Sequence, residues 1–290
     1  MTSPVTRPAP PAADDAPVRV VCRRGATDRS GRPILLLHGL ADSDAVWEPL
    51  LPEFGPDEQV WTARLPWRGE GVADWSHRRD LTGWIADALD AVPGDGCVVV
   101  AHSLSAIVLL DLIGQRLAAG ADPFTRYRIG GLVLVAPFFR PRPADFDWSV
   151  LSYYLDNFHQ ILAEGIRVRA GHRTTAETRA DMARYLRDRI GPYAWVRFFE
   201  TFLRMPLLPL DRCTVPCLVV GGGRDFAAPP DGCAALAAGL PAGTLHLIDG
   251  CGHFPMLEAP DRLATQIGLL CASARGGDPT TSPHRLEHGR

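Results

Sequence analysis

Val98-Val99-Val100-Ala101-His102-Ser103-Leu104-Ser105-Ala106 is the stretch on which the fold of this chain turns. Three consecutive valines favour extended backbone. From Ser105 the apolar positions continue to residue 118 with helical spacing. A strand that passes through a serine straight into a helix has the layout of a nucleophile elbow, in which strained backbone lifts the hydroxyl clear of a sheet. Strand and helix pass very close in such a turn, so the positions two before and two after the serine must be small. Ala101 and Ser105 meet that need where the pattern usually has glycines. Taken alone, the stretch reads equally well as a structural serine in a strand–helix turn.

Outward from this stretch, short apolar runs alternate with helical patterns. Strands are expected over residues 18–22, 34–37, 59–63, 97–101, 132–136, 217–220 and 244–248, the first two joined by a Gly/Asp/Ser-rich turn. Helices are expected over residues 81–92, 105–118, 232–238 and 259–271. Several of the strand runs are apolar throughout, as strands covered on both faces must be. The alternation predicts an α/β fold with a doubly wound, mostly parallel sheet.

One segment breaks the rhythm. Residues 139–206 hold no convincing strand, at least three helical patterns and twelve aromatic side chains, among them Phe146, Trp148, Tyr154, Phe158, Trp195, Phe198 and Phe202. Thr174 followed by Glu177 has the spacing of a capping box opening a helix that runs towards Ile190. An all-helical insertion between two parallel strands is expected to lie as a cap over the carboxyl edge of the sheet, where such sheets bind ligands. The expected organisation is a tail over residues 1–17, an α/β core over 18–138 and 207–273, the cap over 139–206, and a second tail over 274–290. Both tails are rich in Pro, Gly, Ala or charge and are expected to be disordered.

Composition bounds the function. A net charge of −3 in 290 residues offers no general attraction to nucleic acid or anionic lipid. Every basic residue is arginine, which reads with the abundant Ala, Gly and Pro as GC-rich coding bias. The absence of lysine rules out Schiff-base, pyridoxal-anchoring and P-loop lysine chemistry. Seven cysteines, Cys22, Cys97, Cys213, Cys217, Cys233, Cys251 and Cys271, form no C-x-x-C pair, so no metal or redox role is expected of them, and a serine nucleophile with a histidine base would require no metal or organic cofactor. The amino-terminal residues lack the pattern of a signal peptide and no apolar run reaches membrane-spanning length, which predicts a cytoplasmic protein without a membrane partner.

Three further stretches could supply the partners of Ser103. Leu36-Leu37-His38-Gly39-Leu40 is a buried strand ending in His-Gly, read either as a plain glycine turn or as a loop that bends a backbone N–H towards the serine. On the second reading Leu40 and Leu104 provide the two N–H groups of an oxyanion hole, and His38 props the loop. Val219-Val220-Gly221-Gly222-Gly223-Arg224-Asp225 carries Asp225 at a strand end, placed to accept from an imidazole, with Asp249 as a competitor. Asp249-Gly250-Cys251-Gly252-His253-Phe254-Pro255 places His253 between flexible glycines, as a base if it turns inward and as an ordinary histidine otherwise.

The order Ser103, Asp225, His253 is the one associated with α/β-hydrolases. With the elbow, the His-Gly loop, the G-x-x-D loop and the G-x-G-H loop, residues 18–272 resemble the α/β-hydrolase superfamily, and within it the cap-bearing esterase, thioesterase and lactonase relatives. Arg64-Leu65-Pro66-Trp67-Arg68-Gly69-Glu70-Gly71 is similar to the family's D-x-P-G-x-G segment, with Trp67 and Arg68 where that pattern is tighter. The resemblance implies an α/β-hydrolase fold with a cap and a Ser103–His253–Asp225 triad. It implies cleavage of an ester or thioester with a bulky hydrophobic group, and the composition together with Ala101 and Ser105 in place of glycines points to specialised metabolism. The aromatic insertion points to a hydrophobic small-molecule substrate. The arginines of that segment (Arg140, Arg142, Arg167, Arg169 and Arg173) leave open a carrier-bound or carboxylated one. The alternatives are the same site used for elimination, acyl transfer or cyclisation, and a protein that holds a hydrophobic ligand without turning it over.

Overall fold

Alternating apolar residues along the predicted strands pair into one sheet of order β1-β3-β2-β4-β5-β6-β7 in a computed structural model that describes residues 18–25, 32–56, 58–67 and 75–275. The strands are β1 (Arg19–Arg24), β2 (Pro33–Leu37), β3 (Gln59–Arg64), β4 (Cys97–His102), β5 (Ile129–Val135), β6 (Cys217–Gly222) and β7 (Gly243–Ile248). All neighbouring pairs are parallel except β1, which runs antiparallel to β3. The two strands expected on either side of a turn are therefore not neighbours, because β3 lies between β1 and β2. The turn between them, the 1–17 tail, and the 68–71 part of the Arg64–Gly71 segment lie outside the described residues, as does everything beyond Arg275.

Strand periodicity sorts the core into two layers. Leu35, Val99, Leu132 and Val219 face one side, and Ile34, Val98, Val133 and Val220 the other, in registers that align Leu36 with Val100 and Val100 with Val133. The first layer is covered by α1 (Thr82–Ala91), α2 (Leu104–Ala118) and α6 (Pro230–Gly239), the second by α8 (Pro260–Arg275). Between these come two short helices, α3 (Pro123–Arg126) and α7 (Pro255–Glu258). The registers bring the carboxyl ends of β4, β6 and β7 to one edge of the sheet, where the loops bearing Ser103, Asp225 and His253 emerge.

Two long helices, α4 (Trp148–Ala170) and α5 (Ala176–Arg204), fill the span between β5 and β6. Asp147 caps α4 by accepting from the Val150 N–H at 2.9 Å. The cap of α5 is Thr175, which accepts from the Thr178 N–H at 3.1 Å, one residue later than the expected Thr174. Gly191, at φ 71°, and Pro192 break α5 internally, since proline cannot supply the N–H that a continuous helix needs. Six aromatic side chains of α4 and α5, including Tyr154, Phe158, Trp195, Phe198 and Phe202, pack edge-to-face among themselves and onto Phe138 at the end of β5.

Arg204, at the end of α5, makes a two-pronged ion pair with Asp111 of α2, at 3.2 and 2.6 Å. Asp111 is almost fully buried, and that arginine is its ion-pair partner. Arg204→Leu is expected to cost about 2–3 kcal/mol, read as a lower urea midpoint with unchanged slope; a loss under about 0.5 kcal/mol would mean that water reaches Asp111.

Candidate active site

Ser103 joins the last residue of β4 to the first of α2 and has φ 55° and ψ −118°, a conformation that non-glycine residues rarely adopt. The surrounding structure holds it there. The Ser103 N–H donates to the Val135 carbonyl at 2.9 Å, and its carbonyl accepts from Ala106 and Ile107 in the first turn of α2. Ala101 and Ser105 are wholly buried where strand and helix pass, as the small-residue pattern requires. The turn leaves the Ser103 hydroxyl at the sheet edge, and the residue is 7% exposed.

His253 reaches this hydroxyl from the loop after β7. Its Nε2 lies 3.1 Å from Ser103 Oγ, and its Nδ1–H donates to Asp225 Oδ2 at 2.8 Å. The other oxygen of Asp225 accepts from the Ala227 and Ala228 N–H groups at 2.8 and 2.9 Å, which fixes the carboxylate plane. With Asp225 accepting at Nδ1, the His253 Nε2 is free to accept from the serine hydroxyl. Asp249, the competing acid, is exposed. The loops meet without room for a side chain at Gly222, where a Cβ would lie 2.0 Å from the Gly252 carbonyl oxygen.

Two residues that sequence reasoning passed over hold the His253 loop. Glu258 accepts from the Gly252 N–H through both oxygens (3.1 Å each) and from the Phe254 N–H at 3.2 Å. An acid in the first turn of a short helix opened by Pro255 was the available signal. His102 donates from Nε2 to the His253 carbonyl at 2.9 Å. Burial first, then the neighbouring His253 ring, holds its imidazole well below the ordinary range, so His102 stays a neutral strut.

Opposite Ser103 stands the loop from His38 to Asp42. Gly39 is needed there for space: a Cβ would lie 2.8 Å from His102 Nδ1 and 3.1 Å from Ser103 Cβ. The left-handed residue of this turn is Ala41, at φ 59°. His38 donates from Nδ1 to the Gly39 carbonyl at 2.8 Å and accepts at Nε2 from the Leu65 N–H at 3.0 Å, bracing the loop. Leu40 and Leu104 both line the cavity at Ser103, and Leu104 is the first residue of α2, whose N–H has no carbonyl one turn earlier to pair with. Ser105 is sealed beneath the loop, bonded to the His38 carbonyl and to the Trp67 indole.

The cavity that opens onto Ser103 has a volume of about 40 Å³. Beyond the catalytic candidates and the His102 ring its walls are mostly carbon: Phe138, Tyr154, Phe158, Ile161, Leu162, Trp195 and Phe198. None of the arginines Arg140, Arg142, Arg167, Arg169 or Arg173 reaches it. Arg142 pairs with Asp145, Arg167 with Glu164 and Arg169 with Asp42, while Arg173 donates to two carbonyls of α4. Arg140 lines a separate cavity of about 320 Å³ on the other side of Phe138 and Tyr154. Among the described residues no group of His, Cys, Asp and Glu is arranged to hold a metal ion.

The arrangement can carry a proton from a hydroxyl to an imidazole beside an apolar cavity. The model of the alpha/beta hydrolase family matches residues 34–266 of the chain. A pimeloyl-[acyl-carrier protein] methyl ester esterase of Aromatoleum aromaticum is 27% identical over 252 residues, spanning 81% of this chain and 96% of that protein. The protein of the same name from Nitrosomonas europaea is 25% identical over 267 residues, spanning 84% of this chain and 97% of that protein. Among solved structures, an N-acyl homoserine lactone degrading enzyme superposes with a TM-score of 0.60 at 18% identity, covering 87% of this chain and 95% of its own. A thioesterase domain from the curacin biosynthetic pathway gives 0.57 at 17%, covering 87% and 95%. At these identities the two structures speak for the fold.

Proposed function

The chain belongs to the alpha/beta hydrolase family, and from that premise we propose that it is a serine hydrolase of carboxylic esters or thioesters, with Ser103 as nucleophile, His253 as general base and Asp225 as its orienter. The observation that carries this reading is the unbroken run of hydrogen bonds from Asp225 through His253 to Ser103, at 2.8 and 3.1 Å, at the edge of an apolar cavity.

Ser103 Oγ attacks the acyl carbon while its proton passes to His253 Nε2. Asp225 stabilises the resulting imidazolium. The carbonyl oxygen becomes negative in the tetrahedral intermediate and is met by the N–H groups of Leu40 and Leu104. His253 returns its proton to the departing alkoxide or thiolate, leaving an acyl group on Ser103. Water, deprotonated by His253, then attacks that acyl carbon and releases the acid, restoring the serine hydroxyl.

Residues 139–206 serve as a cap, and their carbon-lined face supports a hydrophobic substrate. The volume of about 40 Å³ admits a short group as it stands, so a longer or bulkier one requires the α4 and α5 side chains to part. The resemblance to two esterases of an acyl chain on a carrier protein supports a carrier-bound ester as substrate. The seven free cysteines fit a reducing, cytoplasmic setting. No helix of the described residues is long and apolar enough to cross a membrane.

A fluorophosphonate probe mapped by mass spectrometry is expected to modify Ser103, and p-nitrophenyl butyrate to be cleaved with a kcat/KM roughly fifteenfold above the acetate. That ratio follows from two methylenes entering the apolar wall at about 0.8 kcal/mol each. A native protein left unmodified would sink the nucleophile assignment, and an acetate preference would sink the apolar acyl pocket.

A further inference from the structure

Two of the places where this chain departs from the glycine-rich pattern of its motifs, Ser105 and Trp67, touch each other. The Trp67 indole N–H donates to Ser105 Oγ at 3.1 Å and to the His38 carbonyl at 3.2 Å, and the Ser105 hydroxyl donates to that same carbonyl. Trp67, Ser105 and His38 are all wholly buried, so water cannot replace these bonds. Trp67 also grips the loop a second time: its own carbonyl accepts from the Ala41 N–H at 2.8 Å.

The two grips straddle Leu40. Its N–H lies between the His38 carbonyl, held by Trp67 and Ser105, and the Ala41 N–H, held by the Trp67 backbone. The link between them is Gly39, which brings no side chain to anchor the peptide and whose backbone is freer than any other residue's. An oxyanion donor is effective only if its direction is set before the charge develops. Ser105 in turn sits one residue past Leu104 on the first turn of α2, so the same bonds brace the loop against the helix that bears the second donor.

Resting on the assignment of Leu40 as an oxyanion donor, we infer that Trp67 and Ser105 are positioning residues that together aim the Leu40 N–H at the transition state. Either alone leaves the His38 carbonyl one donor. Removing both takes these two donors from it, while the Ala41 grip and the His38 ring contacts with Gly39 and Leu65 remain.

The test compares the native chain with Trp67→Phe, Ser105→Ala and the double variant, using p-nitrophenyl butyrate and circular dichroism. Each single variant is expected to lower kcat roughly three- to tenfold and the double roughly a hundredfold, approaching the loss of a whole oxyanion donor. KM is expected to stay within about twofold and the pH midpoint of kcat to be unmoved, since His253 and Asp225 are untouched; a general loosening of the core would move KM and the pH profile as well. A folded double variant with kcat within about threefold of native, or one changed in KM alone, would overturn the inference. Should the double variant not fold, Trp67→Phe decides: an unchanged kcat overturns, a reduced kcat at constant KM supports. A native chain that neither cleaves the ester nor takes up the phosphonate would overturn the hydrolase reading and this inference with it, whereas native turnover with indifferent variants overturns this inference alone.

Discussion

Ser103→Ala is expected to remove phosphonate labelling and to lower kcat at least about ten-thousandfold, leaving a small residual rate from binding and the oxyanion donors. The reasoning is local. Among the described residues no other hydroxyl bonds to His253 Nε2, and Ser105, the nearest candidate in sequence, is sealed under the loop with its hydroxyl spent on the His38 carbonyl. The fold should tolerate the change. Alanine keeps the Cβ and the backbone bonds from Ser103 N to Val135 and from its carbonyl to α2, and loses only one side-chain hydrogen bond of about 1 kcal/mol. Steady-state kinetics on p-nitrophenyl butyrate, with a thermal midpoint within a few degrees of native, checks both halves. A folded Ser103→Ala protein that retains a tenth of the activity would mean that the ester is cleaved without this nucleophile, and direct attack by water activated at His253 would become the mechanism to examine.

Asp225→Asn is expected to cost roughly ten-thousandfold in kcat, although the side chains are nearly identical in shape. The Ala227 and Ala228 N–H groups both donate to Asp225 Oδ1, so an asparagine there must keep its carbonyl oxygen facing them. That choice turns the amide NH₂ towards His253 Nδ1. The imidazole must then accept at Nδ1 and carry its proton on Nε2, aimed at Ser103 Oγ, where it can no longer take the hydroxyl proton. The loss therefore comes from the wrong tautomer, with binding largely preserved, and should fall on kcat with little change in KM. A decrease of less than about a hundredfold in a folded variant would show that another group orients His253. The exposed Asp249 offers no substitute, being turned to solvent on the same loop.

These expectations separate what was legible in the chain from what was not. The strands were legible because each is a run of apolar residues whose period-two pattern repeats in the two core layers, as Leu35 and Val99 on one face and Leu36 and Val100 on the other demonstrate. The antiparallel pairing of β1 with β3 was not, because strand adjacency is decided by contacts between distant segments that leave no mark on either one. Thr174 and Thr175 offer the same capping chemistry, and the choice of Thr175 depends on where the exit from α4 delivers the chain.

The candidate site divides in the same way. Ser103, Asp225 and His253 could be picked out as candidates because each follows a strand within a few residues and is marked by local features: a small-residue elbow, glycines, and a fixed chain order. Glu258, His102 and Trp67 could not be assigned their parts, since a glutamate in a helix turn, a buried histidine and a buried tryptophan have many uses. The aromatic insertion announced a hydrophobic surface in composition, yet composition carries no distances, and the enclosed volume of about 40 Å³ depends on how those rings interdigitate. By itself, then, the sequence determined the α/β class, the alternation of elements and the identity of the polar groups at the strand ends, because these follow from periodicity and residue chemistry over a few turns of chain. Only the tertiary structure decided which acid meets His253, which bonds brace Leu40 and how much room lies above Ser103, because those are set by side chains well separated along the chain, 28 residues apart for Asp225 and His253 and 38 for Trp67 and Ser105, packed at atomic contact.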